Sequence, residues 1–425
     1  MSLSSFPHEL IAHIVSYLQD VSSLRTAALL HPTFRPWVRD ALFHTVRLTH
    51  TNVFAFRELV QSSPAVLPYI RKLDMMPVGG RNTSFVTLDP GTLLKCEAVA
   101  ALKTYSDPFG FRHLGSAEWK TLQGAVKGLK KLELLVDRLY PLSYWATLLD
   151  SCESLESIDI TVDSGVNGWT TEDVEVEIPG RATDAGWSMS LQSLCVSGEV
   201  KVLTPLSRWL LPRKALDRLV TLELDVYYLH DDYGPPEEDR RSSLVSAAMG
   251  SVRELTLHLD PPVPLNSSSN IHLTVASFPN LTKLLLRDGP DAELVDSLAW
   301  TASFLALPLD QQHSNLAQIT LDHGIRRRDL LAVPNETWAR LEETLLSASD
   351  FPAFPALASF TFANPHKFSF AHPDSIPAPD KRFVEEYVRG RLPRLAQAER
   401  GRVKLEFGGD ADALRRRMWE RRMVN

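Results

Sequence analysis

Cysteine is scarce. Cys96, Cys152 and Cys195 are odd in number and far apart in 425 residues, which fits neither a disulfide framework nor a zinc knuckle and points to a reducing compartment. No sign of charge prevails: 45 basic and 52 acidic residues leave a formal net charge of -7, so nothing in the overall field advertises a nucleic-acid or membrane partner. Glycine fingerprints for phosphate are missing, as is a G-x-S-x-G nucleophile turn, which removes the usual markers of nucleotide-dependent and hydrolytic chemistry. His8, Glu9 and His13 suggest a zinc-protease helix only at first sight, because the two histidines are five residues apart, not four, and point to different faces. No metal and no cofactor is expected. The first residues have no basic leader and no long apolar run, so they resemble neither a signal peptide nor a membrane span; cytosol or nucleus is the expected location.

What is present begins with helical periodicity. Leu10, Ile11, Ile14, Val15 and Leu18 recur at helical spacing behind Pro7 and Glu9, which suit a first turn. Asp20 or Ser22 can cap a second helix through Val21, Leu24, Ala27, Ala28 and Leu30, which His31-Pro32 ends. Thr33 can cap a third, with Pro36 in its first turn and Phe34, Trp37, Val38, Ala41 and Leu42 facing inward. Three helices in about 40 residues bury little area and are expected to lean on a neighbour or partner.

These residues carry a resemblance. The run from Phe6 to Leu18, F-P-H-E-L-I-A-H-I-V-S-Y-L, followed by S-S-L-R-T-A-A-L-L-H-P-T-F-R-P-W, resembles the F-box family in its fungal variant, with Phe6 in place of the usual leucine. The resemblance covers residues of about 6 to 48, including the strand-like stretch Leu42 to Leu48. It implies an adaptor-binding module at 1–48 that contacts a Skp-type adaptor, and through it a cullin-RING ligase. The implied adaptor-binding residues are Phe6, Pro7, Glu9, Leu10, Ile14, Leu18, Leu24, Leu30, Phe34 and Trp37.

Beyond residue 50 one phrase returns: apolar, two variable, apolar, one variable, apolar. It occurs from Ile70, Leu129, Leu155, Leu191, Leu219, Val252, Leu281, Leu316 and Leu357, with a weaker last copy ending at Phe407. The intervals, about 26 to about 45 residues, are of solenoid size. Between phrases, Ser143–Cys152, Leu206–Leu216, Ser242–Met249, Asp291–Leu305, Glu336–Ala348 and Arg382–Leu392 carry apolar residues at steps of three and four. The fold class expected is therefore α/β: a three-helix module, then an irregular solenoid at 49–425 with parallel strands on a concave face and helices on a convex one. The phrase resembles leucine-rich repeats, though their asparagine after the third apolar position is mostly missing and only Asn364 sits comparably. From 75 to 128 the register is open, with weak candidates at Leu88 and Leu102. Gly79–Asn82, Thr170–Thr183, Asp231–Arg240, Asn266–Asn270 and Phe370–Pro379 read as loops or extended connections, and Asp410–Val424 as a capping helix.

In a strand the residues alternating with the buried ones face outward. That picks out Lys131, Glu133, Asp159, Glu223, Asp225, Glu254, His258, Lys283, Arg287, Gln318 and Asp322 as candidates for holding an unknown target protein. Their mixed signs predict no simple charge class of partner. Asp159, Asp225, Asp260 and Asp322 near strand ends read as turn chemistry more readily than as an acid/base pair. The arginine runs at 326–328 and 415–417 have acidic neighbours and read as solvated faces. Taken with the resemblance, the chain is expected to be a non-catalytic receptor that presents a target for ubiquitination. A scaffold that binds the adaptor without directing ubiquitination stays open.

Overall fold

The computed structural model describes residues 7–407 apart from 19, 76–86, 106, 137–139, 163–190, 198–205, 207–208, 226–243, 260–273, 289–292, 308–310, 314, 323–326, 347–352, 364–380 and 399–403. Phe6, Asp260, Asn364, the five expected loops and connections, the capping helix and the second arginine run all lie outside the described residues. The side chain of Asp225 does too.

Three helices come first: α1 (His8–Ser16), α2 (Val21–Leu30) and α3 (Arg35–Phe43). Pro7 stands at the N-cap of α1, one residue ahead of the first turn. Asp20 caps α2 by accepting the Ser23 amide at 2.7 Å, and the Ser23 hydrogen bonds hold its carboxyl below the ordinary value. Thr33 does not cap α3. It lies inside a 3-10 turn, Pro32–Phe34, whose cap is His31: the ring Nδ1 accepts the Thr33 amide at 3.3 Å, because Pro32 brings the imidazole over that turn. Pro36 falls in the first turn of α3. Ile11, Val15, Leu24, Ala27, Phe34 and Val38 form a core of their own, with Leu18, Ala28, Trp37 and Leu42 packed against it.

The chain divides into two compact units, the first carrying these helices and strands β1 to β5, the second β6 to β12. In the first, β1 (Thr45–Arg47), β2 (Lys72–Met75), β3 (Ala101–Tyr105), β4 (Lys131–Val136) and β5 (Ser157–Val162) pair in sequence order, every pair parallel. In the second, β6 (Ser193–Ser197), β7 (Thr221–Asp225), β8 (Glu254–Leu259), β9 (Lys283–Asp288), β10 (Gln318–Asp322), β11 (Ser359–Ala363) and β12 (Lys404–Phe407) do the same. Parallel neighbours require crossovers. These are filled in the first unit by α4 (Val53–Ser62), α5 (Pro90–Lys95), α6 (Ser116–Ala125) and α7 (Tyr140–Leu149). In the second, α8 (Leu294–Leu305), α9 (Arg327–Ala332), α10 (Asn335–Leu346), α11 (Lys381–Arg391) and α12 (Pro393–Ala398) serve. Each unit is thus a solenoid-like α/β stack, as the repeated phrase predicts. The segment expected to end at residue 48 runs into the sheet, since Thr45–Arg47 pairs with β2.

All ten phrases land on strands, and their apolar positions point inward: Leu129, Leu132 and Leu134 are buried, as are Leu281, Leu284 and Leu286. On the same side Trp338 of α10 packs against Phe362 of β11 at 6.4 Å between centroids. The open register resolves at Leu102, which is buried in β3, while Leu88 precedes the Asp89 cap of α5. The helix expected at Leu206–Leu216 is broken: Leu211–Arg213 is a 3-10 turn containing Pro212, and Lys214 closes it in the left-handed region at φ 50°.

One backbone device recurs at the head of the strands. The carbonyls of His44, Arg71, Ala100 and Lys130 in the first unit each accept two consecutive N–H groups of the next repeat. Those of Gln192, Val220, Arg253, Thr282 and Ala317 do so in the second, all at 2.8 to 3.2 Å. In the second unit a side-chain series runs beside it. Ser251 Oγ donates to the Leu216 carbonyl at 2.9 Å, Asn280 Nδ2 to Gly250 at 2.7 Å and Asn315 Nδ2 to Pro279 at 2.8 Å. Asn280 and Asn315 therefore bridge repeats just before the phrase. His313 belongs to the same turn: its Nδ1 accepts the Leu316 amide at 3.3 Å and its Nε2 meets the Phe278 carbonyl at 2.7 Å, which places the proton on Nε2.

Two measurements check this core. Leu284→Ala, at a site with no room to collapse between β8 and β10, is expected to cost about 2–5 kcal/mol in urea unfolding. Burial pushes the thiols of Cys96 and Cys152 up, to about 11 and about 12, the second also raised by Asp150. Both should stay unlabelled by a thiol-disulfide reagent at neutral pH in the native protein and react at once in denaturant.

Candidate functional site

Two surfaces gather the residues singled out by sequence. On the first, α1 puts Leu10, Ile14 and Tyr17 at successive steps of four and three, one stripe of the helix. Its opposite side, Ile11 and Val15, fills the core. Leu10 is 48% and Ile14 44% exposed, and Leu30 at the end of α2 is 71% exposed. Pro7 and Glu9 are also exposed, whereas Leu18 and Trp37 are partly buried. Leu24 and Phe34 are buried and serve the three-helix core, so they offer no surface: α2 turns Leu24 and Ala27 inward, and the 3-10 turn tucks Phe34 beneath them. Val21 and Leu29, eight residues apart on α2, are exposed apolar side chains; the sequence reading gave Val21 only as a position of the helix and did not name Leu29. Their spacing was visible, but it competes with the inward period of the same helix.

The second surface is the outward face of the strands. Lys131, Glu133, Asp159, Glu254, His258, Lys283, Arg287 and Gln318 alternate with the buried leucines as expected, and so does Glu223. Register then groups them by unit.

In the first unit, Arg47, Asp74, Lys103, Glu133 and Asp159 align across β1 to β5 as one cross-strand row. Arg47 and Asp74 pair at 3.3 Å. Lys131, Lys72 and Lys103 place their Nζ atoms 2.9, 3.2 and 3.6 Å from the oxygens of Glu133, whose side chain is 17% exposed. Burial would push that carboxyl up. The Lys131 hydrogen bond and the charges of Lys131, Lys72 and Lys103 outweigh it and hold the carboxyl at about 2. Arg47, Lys72, Asp74 and Lys103 were not among the sequence candidates. Lys72 and Asp74 lie in the phrase that begins at Ile70, and Lys103 in the strand whose register stayed open.

In the second unit Glu223 is the node. Its Oε1 accepts Arg287 Nη1 at 3.1 Å and lies 2.7 Å from His258 Nε2. Arg287 Nε is 3.5 Å from Asp322 Oδ2. Asp322 is only 1% exposed, so this candidate is sealed under its neighbours and cannot itself meet a partner. Lys283 and Glu254 pair separately at 2.7 Å, both accessible. Asp225 shares the register row of His258 and Arg287.

Among the described residues no group of three or more His, Cys, Asp or Glu could hold a metal ion, and no helix is long and apolar enough to cross a membrane. No protein-family model matches this chain, and no curated protein matches it.

The depressed carboxyl of Glu133 gives a pH test. Its folded value lies below the ordinary 4.5, so its contribution is complete above about 4.5 and is lost as pH falls towards about 2. The gap corresponds to on the order of 3 kcal/mol. Denaturant unfolding at about pH 6 and about pH 3 should show a stability loss in the native sequence that is smaller, by up to that amount, in Glu133→Gln.

Proposed function

We propose that this protein is a substrate receptor of a cullin-RING ubiquitin ligase, with α1 to α3 acting as an F-box on a Skp-type adaptor and the repeat strands holding a target protein. One observation carries the reading. Leu10, Ile14 and Leu30 lie exposed although α1 to α3 already possess a core built from Ile11, Val15, Leu24, Ala27, Phe34 and Val38. A three-helix segment gains nothing from leaving such side chains in water, and exposed apolar surface of this kind is what a protein interface needs at its centre. The resemblance of residues 6–48 to the F-box pattern supplies the identity of the partner, and the exposed subset includes Pro7, Leu10 and Ile14 of the implied contact residues.

The mechanism asks no acid, base or metal of this chain. Tethering a target beside a ubiquitin-carrying enzyme raises the local concentration of its lysines near the activated thioester, and the rate follows from proximity. The repeats contribute a rigid frame whose outward side chains recognise the target.

Full-length protein mixed with a Skp-type adaptor and cullin should co-elute as one complex on gel filtration. Leu10→Asp with Ile14→Asp should weaken adaptor binding on the order of a hundredfold or more while leaving the far-ultraviolet circular dichroism unchanged, since neither side chain belongs to the core. A native sequence that fails to bind the adaptor would end the proposal.

A further inference from the structure

Among the described outward strand residues of the first unit, the four cations Arg47, Lys72, Lys103 and Lys131 outnumber the three carboxylates Asp74, Glu133 and Asp159. Lys72 on β2, Lys103 on β3 and Lys131 on β4 all turn to the single carboxylate of Glu133. One ammonium group would match its charge; three gathered around it repel one another at short range. Asp74 is engaged by Arg47. Asp159, opposite Glu133 in register, brings one more carboxylate, so three positive charges face two negative ones.

The layering is also informative. Glu133 and Lys103 lie below, at 17% and 13% side-chain exposure, while Lys131 and Lys72 reach out at 46% and 29%. The ammonium groups of Lys131 and Lys72 each have three N–H donors and direct one at Glu133, leaving donors for an oxygen arriving from solvent. One step along the same strands, Tyr105, Leu135 and Thr161 stand in register across β3, β4 and β5, all half-buried. A cationic step therefore adjoins an apolar one on a rigid sheet face.

We infer that this face binds an anionic peptide segment, its carboxylate or phosphate group held by Lys72 and Lys131 with the charge of Lys103 beneath them, and a neighbouring apolar side chain resting on Tyr105 and Leu135. Glu133 is then an internal counter-ion that gathers the three lysines before the ligand arrives and competes with it afterwards. The inference rests on the reading of the strand face as the target-binding surface, and it narrows the target to a segment with acidic or phosphorylated residues beside an apolar one.

The test is fluorescence anisotropy of the full chain with three labelled peptides that differ only in a core of Glu-Glu-Leu, phosphoserine-Glu-Leu or Gln-Gln-Leu. Binding of either or both charged peptides is expected, and which one binds more tightly tells a carboxylate ligand from a phosphate one; the glutamine peptide should not bind. Replacing all four charges (Lys72→Gln, Lys103→Gln, Lys131→Gln, Glu133→Gln) should weaken binding roughly tenfold or more. Glu133→Gln alone should tighten binding severalfold, an effect that a purely structural ion cluster does not produce. Equal binding of the glutamine peptide, binding by neither charged peptide, or unchanged binding in a folded quadruple variant would overturn the inference. Adaptor capture, measured on the same preparation, depends on α1 and α2, so its loss would strike the receptor reading and leave the peptide result standing.

Discussion

The structure depends on a carbonyl shared between two N–H groups. Among the described residues, at the head of nine strands one backbone oxygen uses both lone pairs on consecutive amides of the next repeat, from His44 through Lys130 in the first unit and from Gln192 through Ala317 in the second. Such a junction fixes register as a parallel ladder alone does not, because a slip of one residue would leave two amides seeking the same oxygen from the wrong side. It would also turn every inward leucine outward. Loop length between repeats can then drift, as it does here, without disturbing the stack. The price of irregular crossovers is met where they rejoin the sheet, by the Asn280 and Asn315 amides, the Ser251 hydroxyl and the His313 ring.

Fixed register has a consequence on the other side of the sheet. Outward residues that are tens of positions apart in the chain become neighbours about 4.8 Å apart, close enough for their charges to couple. Glu133 feels lysines from β2, β3 and its own strand, and its low pKa is the sum of those contacts against the cost of burial. Exposed ion pairs such as Lys283–Glu254 contribute little by comparison, since water screens both ends.

Much of this frame was legible in the chain. The phrase located ten strands because its three apolar positions all face one core. The strand at Ala101–Tyr105 escaped since Thr104 takes the third apolar position and Val99 and Leu102 alone make a faint signal. The helix ends at Asp20 and Pro32 were readable, while the His31 cap was not, because imidazole seldom serves there and only the turn geometry reveals it. The outward residues were readable one strand at a time. Their grouping was not: Lys72, Lys103 and Lys131 are separated by crossovers of different length, and nothing local to any of them announces the other two. Exposure misled in one direction as well, since alternation places Asp322 outward yet its neighbours seal it.

The same backbone arrangement therefore carries two different charge solutions. In the first unit one carboxylate gathers three lysines; in the second, one arginine lies between Glu223 and Asp322, and His258 meets the same oxygen of the glutamate as the arginine. Inward positions are mostly leucine, isoleucine, valine and phenylalanine, with Met75 and Thr104 as exceptions, because each must fill a layer against the next. Outward positions are constrained only in spacing. Outward residues can therefore change without altering the core, and the gathering of Lys72, Lys103 and Lys131 around Glu133 is set by register, not by the packing of the leucines behind it.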